Sequence, residues 1–430
     1  MKQRWLILSH GFNMDGRAAS QTITDKIPYL QEAGIDIQVL SAVTGTRDCK
    51  FPHRQLLPWG PSGFRFDFRH WLRLRIGKGI SYQILVGLVS LILAPLIVIE
   101  RLTVGLSSQW SWALPAALVG VWGVKTGKVD IVYSTGGAWS AHLAGWWIKK
   151  VTGVSWIAEI HDPMISPSRA VVNLNLDERA RAWLEGKLCQ DADHVWWFTE
   201  GALASAAKRH PNLGKRGFSA LAGAAPPTVK GEHRHGEKLR IGHFGSLAPG
   251  RSLKPFLEAL SAVLQDAPAW RNKIEVHVYG VAIDKESEAS IKKLQFDDFV
   301  INHGRVERDP KTGLSGREQI MKLMQSCDVL LLLHGEGPEC AEYIPSKFYE
   351  YLWAGRPVFA LTHLNPQIDS LLRQHRAYQA DSHDAAAIRD NLRKMYEDWH
   401  GQRLPEDSMP AISVKAAVDA ILAQLKAQGK

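Results

Sequence analysis

Cysteine is scarce in this sequence. Four cysteines stand far apart in 430 residues, and no two of them form a CxxC pair. This spacing argues against a disulfide framework and against a cysteine-based structural zinc site, and it fits a reducing cytoplasm.

A long apolar run is also missing from the start of the chain. The opening residues, MKQRWLILSHGFN, hold an apolar run that ends before His10. That run is too short for the core of a signal peptide and predicts a buried first strand instead, so we expect no export.

The sequence has no acidic excess, and its net charge of +9 is unevenly distributed. Residues 1–223 hold 25 basic against 16 acidic side chains, whereas residues 224–430 hold 27 of each. A basic half beside a neutral half indicates an anionic partner for the first half, either nucleic acid or a membrane surface.

Short apolar runs alternate with longer helical patterns along the chain, which is typical of α/β proteins with parallel sheets. The predicted strands are 5–10, 35–41, 129–135, 155–160, 194–199, 239–245, 274–280, 299–304, 328–334 and 357–362. A stretch rich in Pro, Gly and charge separates the two sets. We therefore predict two Rossmann-like domains facing each other across a cleft, with domain 1 at 1–223, a linker at 224–238, domain 2 at 239–410 and a terminal helix at 411–430.

The first half contains an insertion, at about 60–105, that a minimal Rossmann domain does not need. Residues 64–79 place aromatic and aliphatic side chains on one helical face and arginines on another. The next segment, 84–99, has sixteen residues without a charge, fewer than the roughly 20 that span a bilayer. We expect residues 64–101 to associate with an anionic membrane surface, lying in the interface or re-entering, with Trp110 and Trp112 at headgroup depth. The alternative is a buried core helix.

In the second half, the stretch ECAEYIPSKFYEYLWAGRPVF carries a candidate site. Pro345 suits the first position of a helix, so the N–H groups of Ser346 and Lys347 would face an anion such as phosphate. Glu350 could accept hydrogen bonds from ribose hydroxyls, and Glu342 could reach a sugar hydroxyl. Two glutamates at this spacing are also compatible with a solvated helix face.

A second loop, IGHFGSLAPGRSLKPFLEAL, runs from a strand through Gly245 into a helix. The glycine allows close approach of the backbone to a ligand, and Arg251 and Lys254 can pair with phosphate oxygens. Such a loop suits a diphosphate.

These two stretches resemble glycosyltransferases of the GT-B architecture, and in particular the retaining family-4 group with its Glu-x7-Glu motif. The motif runs here from Glu342 to Glu350, and residues 136–163 are similar to a further stretch of that family. The resemblance covers most of the chain except about 60–105. It implies a nucleotide-diphosphate sugar as donor, with no cofactor. It also implies site roles for Glu350 (ribose), Glu342 and His161 (transferred sugar), Arg251 with Lys254 or Lys347 (leaving diphosphate), Gly16 and Gly245 (diphosphate), and His303 to Val306 (base). Where the family often has arginine after the loop glycine, this chain has Ser246, which places more of the cationic role on Arg251.

Three further residues, His10, Asp15 and Arg17, follow the first predicted strand and are acceptor-side candidates. His10 and Asp15 are also compatible with a turn-stabilising pair. No DxD pair stands at a strand end, so we expect no metal, with cations and a helix dipole acting on the phosphates.

The sequence thus predicts a retaining, metal-independent glycosyltransferase that moves a sugar to a lipid-linked acceptor at the cytoplasmic face of the cell membrane, in polysaccharide or glycolipid synthesis, without binding nucleic acid. Two alternatives stay open. One is a nucleotide-sugar epimerase of the same architecture, and the other is a non-catalytic membrane-binding scaffold.

Overall fold

The computed structural model describes residues 3–14, 16–165, 174–248, 250–280, 282–406 and 409–427. The chain divides into two compact units. The first comprises Met1–Ala222 with Val414–Lys430, and the second comprises Gly223–Ser413.

The first unit is built on a parallel sheet of order β3-β2-β1-β4-β5-β6-β7. Alternate residues of one strand enter two different apolar clusters, because successive side chains of a strand point to opposite faces. In β1, Leu6 and Leu8 belong to one cluster, and Trp5 and Ile7 to the other. Both faces of the sheet are therefore covered. The elements are β1 (Arg4–Leu8), α1 (Ala18–Thr24), α2 (Ile27–Glu32), β2 (Asp36–Ala42), β3 (His53–Leu56), α3 (Pro61–Ile76), α4 (Ile80–Thr103), α5 (Ala113–Lys125), β4 (Ile131–Ser134), α6 (Ser140–Thr152), β5 (Ser155–Ile160), α7 (Leu176–Asp191), β6 (His194–Trp197), α8 (Glu200–Arg209) and β7 (Gly217–Ser219).

The second unit has a parallel sheet of order β10-β9-β8-β11-β12-β13. Its central strand β11 reads VLLLL and is buried along its whole length, as expected for a strand covered on both faces. The elements are β8 (Leu239–Phe244), α9 (Lys254–Asp266), β9 (Ile274–Tyr279), α10 (Lys285–Leu294), β10 (Val300–Gly304), α11 (Gly316–Ser326), β11 (Val329–Leu333), α12 (Ser346–Ala354), β12 (Val358–Thr362), α13 (Pro366–Gln374), β13 (Tyr378–Asp381) and α14 (Ala385–His400), followed by α15 (Val414–Ala427), which belongs to the first unit.

The strand order reverses once in each sheet, between β1 and β4 and between β8 and β11. In open parallel sheets, ligands bind beyond the carboxyl ends of the strands at such a switch point. Each unit therefore has its own expected ligand position. The loops after β8 and β11 carry the predicted Gly245 and Glu342.

All the strands expected from apolar runs are present, which confirms the predicted α/β class. Three strands had no prediction, namely His53–Leu56, Gly217–Ser219 and Tyr378–Asp381. Each is at most four residues long and lies at the edge of its sheet, where natural strands are often short and polar because an exposed edge can pair with another chain.

The insertion forms two consecutive helices, α3 and α4, which pack against each other. Helix α4 has 24 residues and extends beyond the sixteen-residue apolar run at both ends, so it is roughly 36 Å long. By length and composition it is able to cross a membrane, and only 6% of its apolar window is buried. Leu91 and Ile92, for example, are 73% and 70% exposed. The alternative of a buried core helix is therefore wrong.

Polar contacts hold the base of this helix pair on the first unit. The carboxylate of Glu100, itself buried, accepts hydrogen bonds from the backbone N–H of Ser62 (2.8 Å) and from Nε1 of Trp110 (2.9 Å). Trp112 is fully buried in the core beside Ala113, so its expected place at headgroup depth is wrong. Exposed tryptophans in and around the insertion are Trp59 (62%), Trp71 (37%) and Trp122 (68%).

The segment expected as a linker packs along the second unit. His233 Nε2 lies 2.8 Å from Asp328 Oδ1, and Trp353 Nε1 donates to the carbonyl oxygen of Ala224 (2.9 Å). The terminal helix α15 packs on the first unit, where its buried Ile421 belongs to the same apolar cluster as Trp5.

Candidate active site

Helix α12 is fixed at the switch point of the second sheet by a tyrosine. The hydroxyl of Tyr351 accepts a hydrogen bond from the backbone N–H of Phe244 (3.0 Å) and donates to the carbonyl oxygen of Leu331 (3.2 Å). These two residues belong to β8 and β11, the strands on either side of the reversal. The helix that carries Glu350 is thereby attached at the expected ligand position.

The start of α12 differs by one residue from the prediction. Pro345 is the residue that precedes the helix, with extended backbone angles (φ −59°, ψ 132°), and the helix begins at Ser346. No side chain caps it. The first-turn N–H groups of Ser346 and Lys347 and the positive end of the helix dipole therefore stay available for an anion.

The two glutamates of the motif are both buried, which excludes the solvated-face interpretation. Glu350 is 8% exposed and forms an ion pair with Lys347 one turn earlier. Glu342 is 5% exposed and ends a short 3-10 helix, Pro338–Glu342, so its position is fixed by local structure.

The segment around Glu342 is held by residues that the sequence did not single out. Nδ2 of Asn365 donates to the carbonyl oxygens of Cys340 (2.7 Å) and Tyr343 (2.8 Å). The hydroxyl of Tyr343 in turn donates to the carbonyl oxygen of His334 (2.7 Å). The sequence signal that could have pointed to this segment is His334, a polar residue directly after the apolar run of β11.

The loop after β8 places a cation in the same region. Gly245 has φ 155°, and a Cβ on Gly280 would lie 2.1 Å from the carbonyl oxygen of Gly245, so both positions require glycine. Nε of Arg251 is buried and has no hydrogen-bond partner among the described residues. Burial, together with the charges of Arg251 and Lys347, lowers the pKa of the neighbouring His243 to about 4. The charges of Arg251 and Lys347 therefore both lie close to His243 in β8.

Other predicted donor-side residues lie farther out on the second unit. Ser246 is exposed, and Lys254 starts α9 and lines a pocket of about 500 Å³ with Glu336 and Arg389. His303, at the end of the edge strand β10, is exposed and stacks on Tyr279 with ring centroids 4.3 Å apart. The half-buried Val306 follows in the next loop. The structure thus brings Arg251, Lys347 and Glu350 close to β8, and leaves the ring of His303 on the edge of the sheet.

In the first unit, the predicted His161 belongs to a buried polar network. Its Nε2 lies 2.7 Å from Oε1 of Glu159 and 3.0 Å from Oγ1 of Thr135. Nζ of Lys26 and the hydroxyl of Tyr133 donate to the same carboxylate. Burial alone would raise the pKa of Glu159, but Lys26 and His161 outweigh it, so this pKa is lowered. His161 is therefore held in one orientation by a charged carboxylate.

The acceptor-side candidates have different surroundings. His10 is 3% exposed and its Nε2 lies 3.4 Å from Oδ1 of Asp67, a residue of α3 that the sequence did not single out. Arg17 is exposed just before α1, as is its neighbour Gly16 (φ 65°), which was predicted on the donor side as a diphosphate contact. Asp15 lies outside the described residues.

The chain matches known proteins in three-dimensional structure. No protein-family model and no curated protein sequence matches the chain. HepE of Anabaena, solved with UDP and glucose, is 14% identical over 98% of this chain and 95% of its own, with a TM-score of 0.57. WaaG, a glycosyltransferase involved in lipopolysaccharide biosynthesis, is 13% identical over 97% and 99%, with a TM-score of 0.55. A structure named for UDP-N-acetylglucosamine 2-epimerase from Listeria monocytogenes is 9% identical over 100% and 97%, with a TM-score of 0.56.

These similarities confirm the predicted fold. The chain has the two-domain GT-B architecture, and its structural neighbours include glycosyltransferases. At such low identities the likeness concerns the fold, and the function has to be argued from the site.

Proposed function

We propose that this protein is a retaining glycosyltransferase of the family-4 type, which transfers a sugar from a nucleotide-diphosphate sugar to a lipid-linked acceptor at the cytoplasmic membrane surface. Polysaccharide or glycolipid synthesis is the corresponding process. HepE is solved with UDP-glucose, so UDP sugars are the first donors to test.

One observation carries this proposal. The buried Nε of Arg251, which lacks a hydrogen-bond partner among the described residues, and the uncapped start of α12 both lie at the switch point between β8 and β11. A buried unsatisfied donor is costly in a folded protein and needs an explanation. A diphosphate would accept hydrogen bonds from both groups, and its charge would be balanced by Arg251 and Lys347.

The arrangement supports a definite division of roles during transfer. As the bond between the anomeric carbon and the diphosphate breaks, negative charge develops on the phosphate, and the cations and helix dipole stabilise it. The buried Glu350 would hold the ribose, and Glu342 would orient the sugar. An acceptor hydroxyl then attacks the anomeric carbon from the face that the diphosphate leaves, and its proton passes to the departing phosphate. No metal is required in this scheme.

The α3–α4 pair supports the membrane site. Apolar side chains of α4 are exposed over most of its length, and Arg73 and Arg75 stand in the last turn of α3. Exposed apolar surface of this extent beside basic residues suits the boundary between the headgroups and acyl chains of an anionic bilayer.

Epimerisation of a nucleotide sugar is the second candidate, because a structure named for such an epimerase has the same fold. An epimerase acting on a soluble substrate has no use for α4, which favours transfer. A membrane-binding scaffold without catalysis is the third candidate, and the buried, unsatisfied Arg251 argues against it.

One experiment separates the three functions. The purified protein is incubated with UDP sugars labelled in the sugar, with and without a membrane lipid extract, and the products are analysed by mass spectrometry and by NMR of the sugar. Transfer predicts label in the lipid fraction with the anomeric configuration kept, in the presence of a chelator. Label confined to an epimerised nucleotide sugar would establish the epimerase. Vesicle binding without nucleotide-sugar binding would establish the scaffold.

A further inference from the structure

Three side chains that the proposed function does not use meet beyond the carboxyl ends of β12 and β13. His363 directly follows β12, Asp381 is the last residue of β13, and His383 comes two residues later. Backbone pairing fixes their spacing, since Thr362 is in register with Asp381 and its carbonyl oxygen accepts from the N–H of Ser382 (2.9 Å).

The ligand-forming atoms of these three residues converge. Nδ1 of His363 lies 3.0 Å from Oδ2 of Asp381, and the two imidazole rings have centroids 4.2 Å apart. One ligand atom from each residue lies within 4.8 Å of the others. Around a tetrahedral ion with bonds of 2.0–2.1 Å, ligand atoms are roughly 3.3 Å apart, so small side-chain rotations complete the geometry.

A second carboxylate is available at the same place. Oε2 of Glu336 lies 3.6 Å from Nε2 of His383. Its backbone is anchored, because the N–H of Glu336 donates to the carbonyl oxygen of Gly250 (2.8 Å). Glu336 is thus placed either to complete the coordination or to orient the ring of His383, as carboxylates do behind metal-bound histidines.

The carboxylate of Asp381 is held in place by the chain that follows it, because its Oδ1 accepts a hydrogen bond from the backbone N–H of His383 (2.8 Å). Two imidazoles with one or two carboxylates suit zinc and its neighbours among the first-row metals, whereas magnesium and calcium prefer sites made of oxygen atoms alone.

We propose that His363, Asp381 and His383 bind one divalent transition-metal ion, with Zn²⁺ as the reference ion. The three residues differ from those proposed to contact the phosphates at β8 and β11, so the metal site does not conflict with transfer that needs no metal. His383 and Glu336 line the same pocket as Lys254. Bound metal would link the loops after β12 and β13. Through Glu336 it would also restrain the segment that leads to Glu342.

A second histidine pair in the same unit provides a matched control. Nδ1 of His277 lies 2.9 Å from Nε2 of His303, but the carboxylate beside them, that of Glu275, lies 3.4 Å from the opposite nitrogen of His277. Carboxylate and His303 therefore stand on different sides of one ring, and the three residues do not converge on one point.

The test uses the full-length protein without an affinity tag, freed of metal by chelation. Zn²⁺ binding is measured by equilibrium dialysis for the parent, for His363→Ala/His383→Ala and for His277→Ala/His303→Ala. We expect one Zn²⁺ per chain, at least about tenfold weaker binding in the first variant, and unchanged binding in the second. The single variant His383→Gln, at a side chain that is 55% exposed, gives the same answer if the double variant fails to fold.

Two results would overturn the proposal. One is the absence of saturable binding in the parent protein. The other is binding to His383→Gln that is as tight as binding to the parent. Because no sugar nucleotide enters the assay, failure of this metal site is distinguishable from failure of the proposed transferase activity.

Discussion

Lys26 and Glu159 form an ion pair in which neither side chain is exposed to solvent. Nζ of Lys26 lies 2.7 and 2.8 Å from the two carboxylate oxygens, and it also stands over the ring of Trp196, 4.5 Å from its centroid. The pair lies directly behind His161, so the packing of the first unit and the candidate active site depend on the same charges.

Replacing Lys26 by methionine is expected to destabilise the first unit by about 3–5 kcal/mol, because it leaves the charge of Glu159 buried without its partner. Urea unfolding followed by circular dichroism measures the loss. Lys415→Met, at an exposed pair with Asp419 in the same unit, is the control and should change little. Equal small effects of both substitutions would contradict a buried ion pair.

His161→Ala tests the role of the residue in front of this pair. Removal of one hydrogen bond to a charged group is expected to reduce turnover about 10- to 100-fold while donor binding is largely retained. Steady-state kinetics together with calorimetric binding of the donor measures the two effects separately. His210→Ala, at a half-buried histidine paired with Glu185, is the control. A loss of donor affinity equal to the loss of turnover would assign His161 to binding alone.

The sequence predicted the elements that depend on local pattern. Apolar runs identified the inner strands, and the spacing from Glu342 to Glu350 with Pro345 identified the start of α12 to within one residue. The edge strand Tyr378–Asp381 was not predicted because it is short and only Tyr378 and Ala380 are buried, so it has no apolar run.

Contacts between segments that are far apart in the chain could not be predicted from the sequence. Glu159 contacts Lys26 across 133 positions, and Asp67 meets His10 only because the tertiary fold brings α3 next to the residues that follow β1. Nothing in the local pattern around Asn365 indicates that its side chain holds Cys340 and Tyr343. Such partners are set by the tertiary fold, so sequence reasoning found the residues of the motif and missed those that position them.

Arg251→Gln is expected to weaken binding of UDP about 10- to 100-fold, since a hydrogen bond to a charged group contributes about 1.5–3 kcal/mol. Isothermal titration calorimetry with UDP measures the change. Arg271→Gln is the matched control, because Arg271 is 40% exposed and its guanidinium faces Asp298 at 3.5 Å. Unchanged UDP affinity in Arg251→Gln would remove this arginine from the diphosphate site.

Acid is expected to destabilise the first unit through His142. Burial, followed by the charge of His161, lowers the pKa of His142 to about 3, and its Nδ1 lies 2.9 Å from Oγ of Ser134. The unfolded chain binds a proton near pH 6.5 and the folded chain does not, so the free energy of unfolding falls as the pH drops below 6.5. The loss attributable to this residue is roughly 2–3 kcal/mol at pH 4.5. Unfolding of His142→Gln, compared with the parent between pH 7 and about 4.5, should show a flatter dependence, and an identical slope would contradict the assignment.

Leu91→Glu/Ile92→Glu tests the exposed face of α4. Burying one such side chain is worth about 1.5–3 kcal/mol, so the pair should lower the affinity for anionic vesicles by roughly 100-fold or more. Vesicle sedimentation with the full-length protein measures it. Both positions are largely exposed, so the fold should be kept. Val151→Glu, at a site 59% exposed on α6, is the control, and a double variant that sediments like the parent would contradict membrane binding through α4.

Arg75→Gln/Lys78→Gln tests the charged part of the same surface. Arg75 lies in the last turn of α3, and Lys78 lies between α3 and α4. Near an anionic bilayer each basic residue contributes about 1 kcal/mol, so this variant should lose roughly tenfold or more in affinity for vesicles with anionic lipid. Its affinity for neutral vesicles should stay at the level of the parent. Because salt screens exposed charges, the difference should shrink as ionic strength rises. An equal loss on neutral vesicles would instead assign these two residues to the packing of the helix pair.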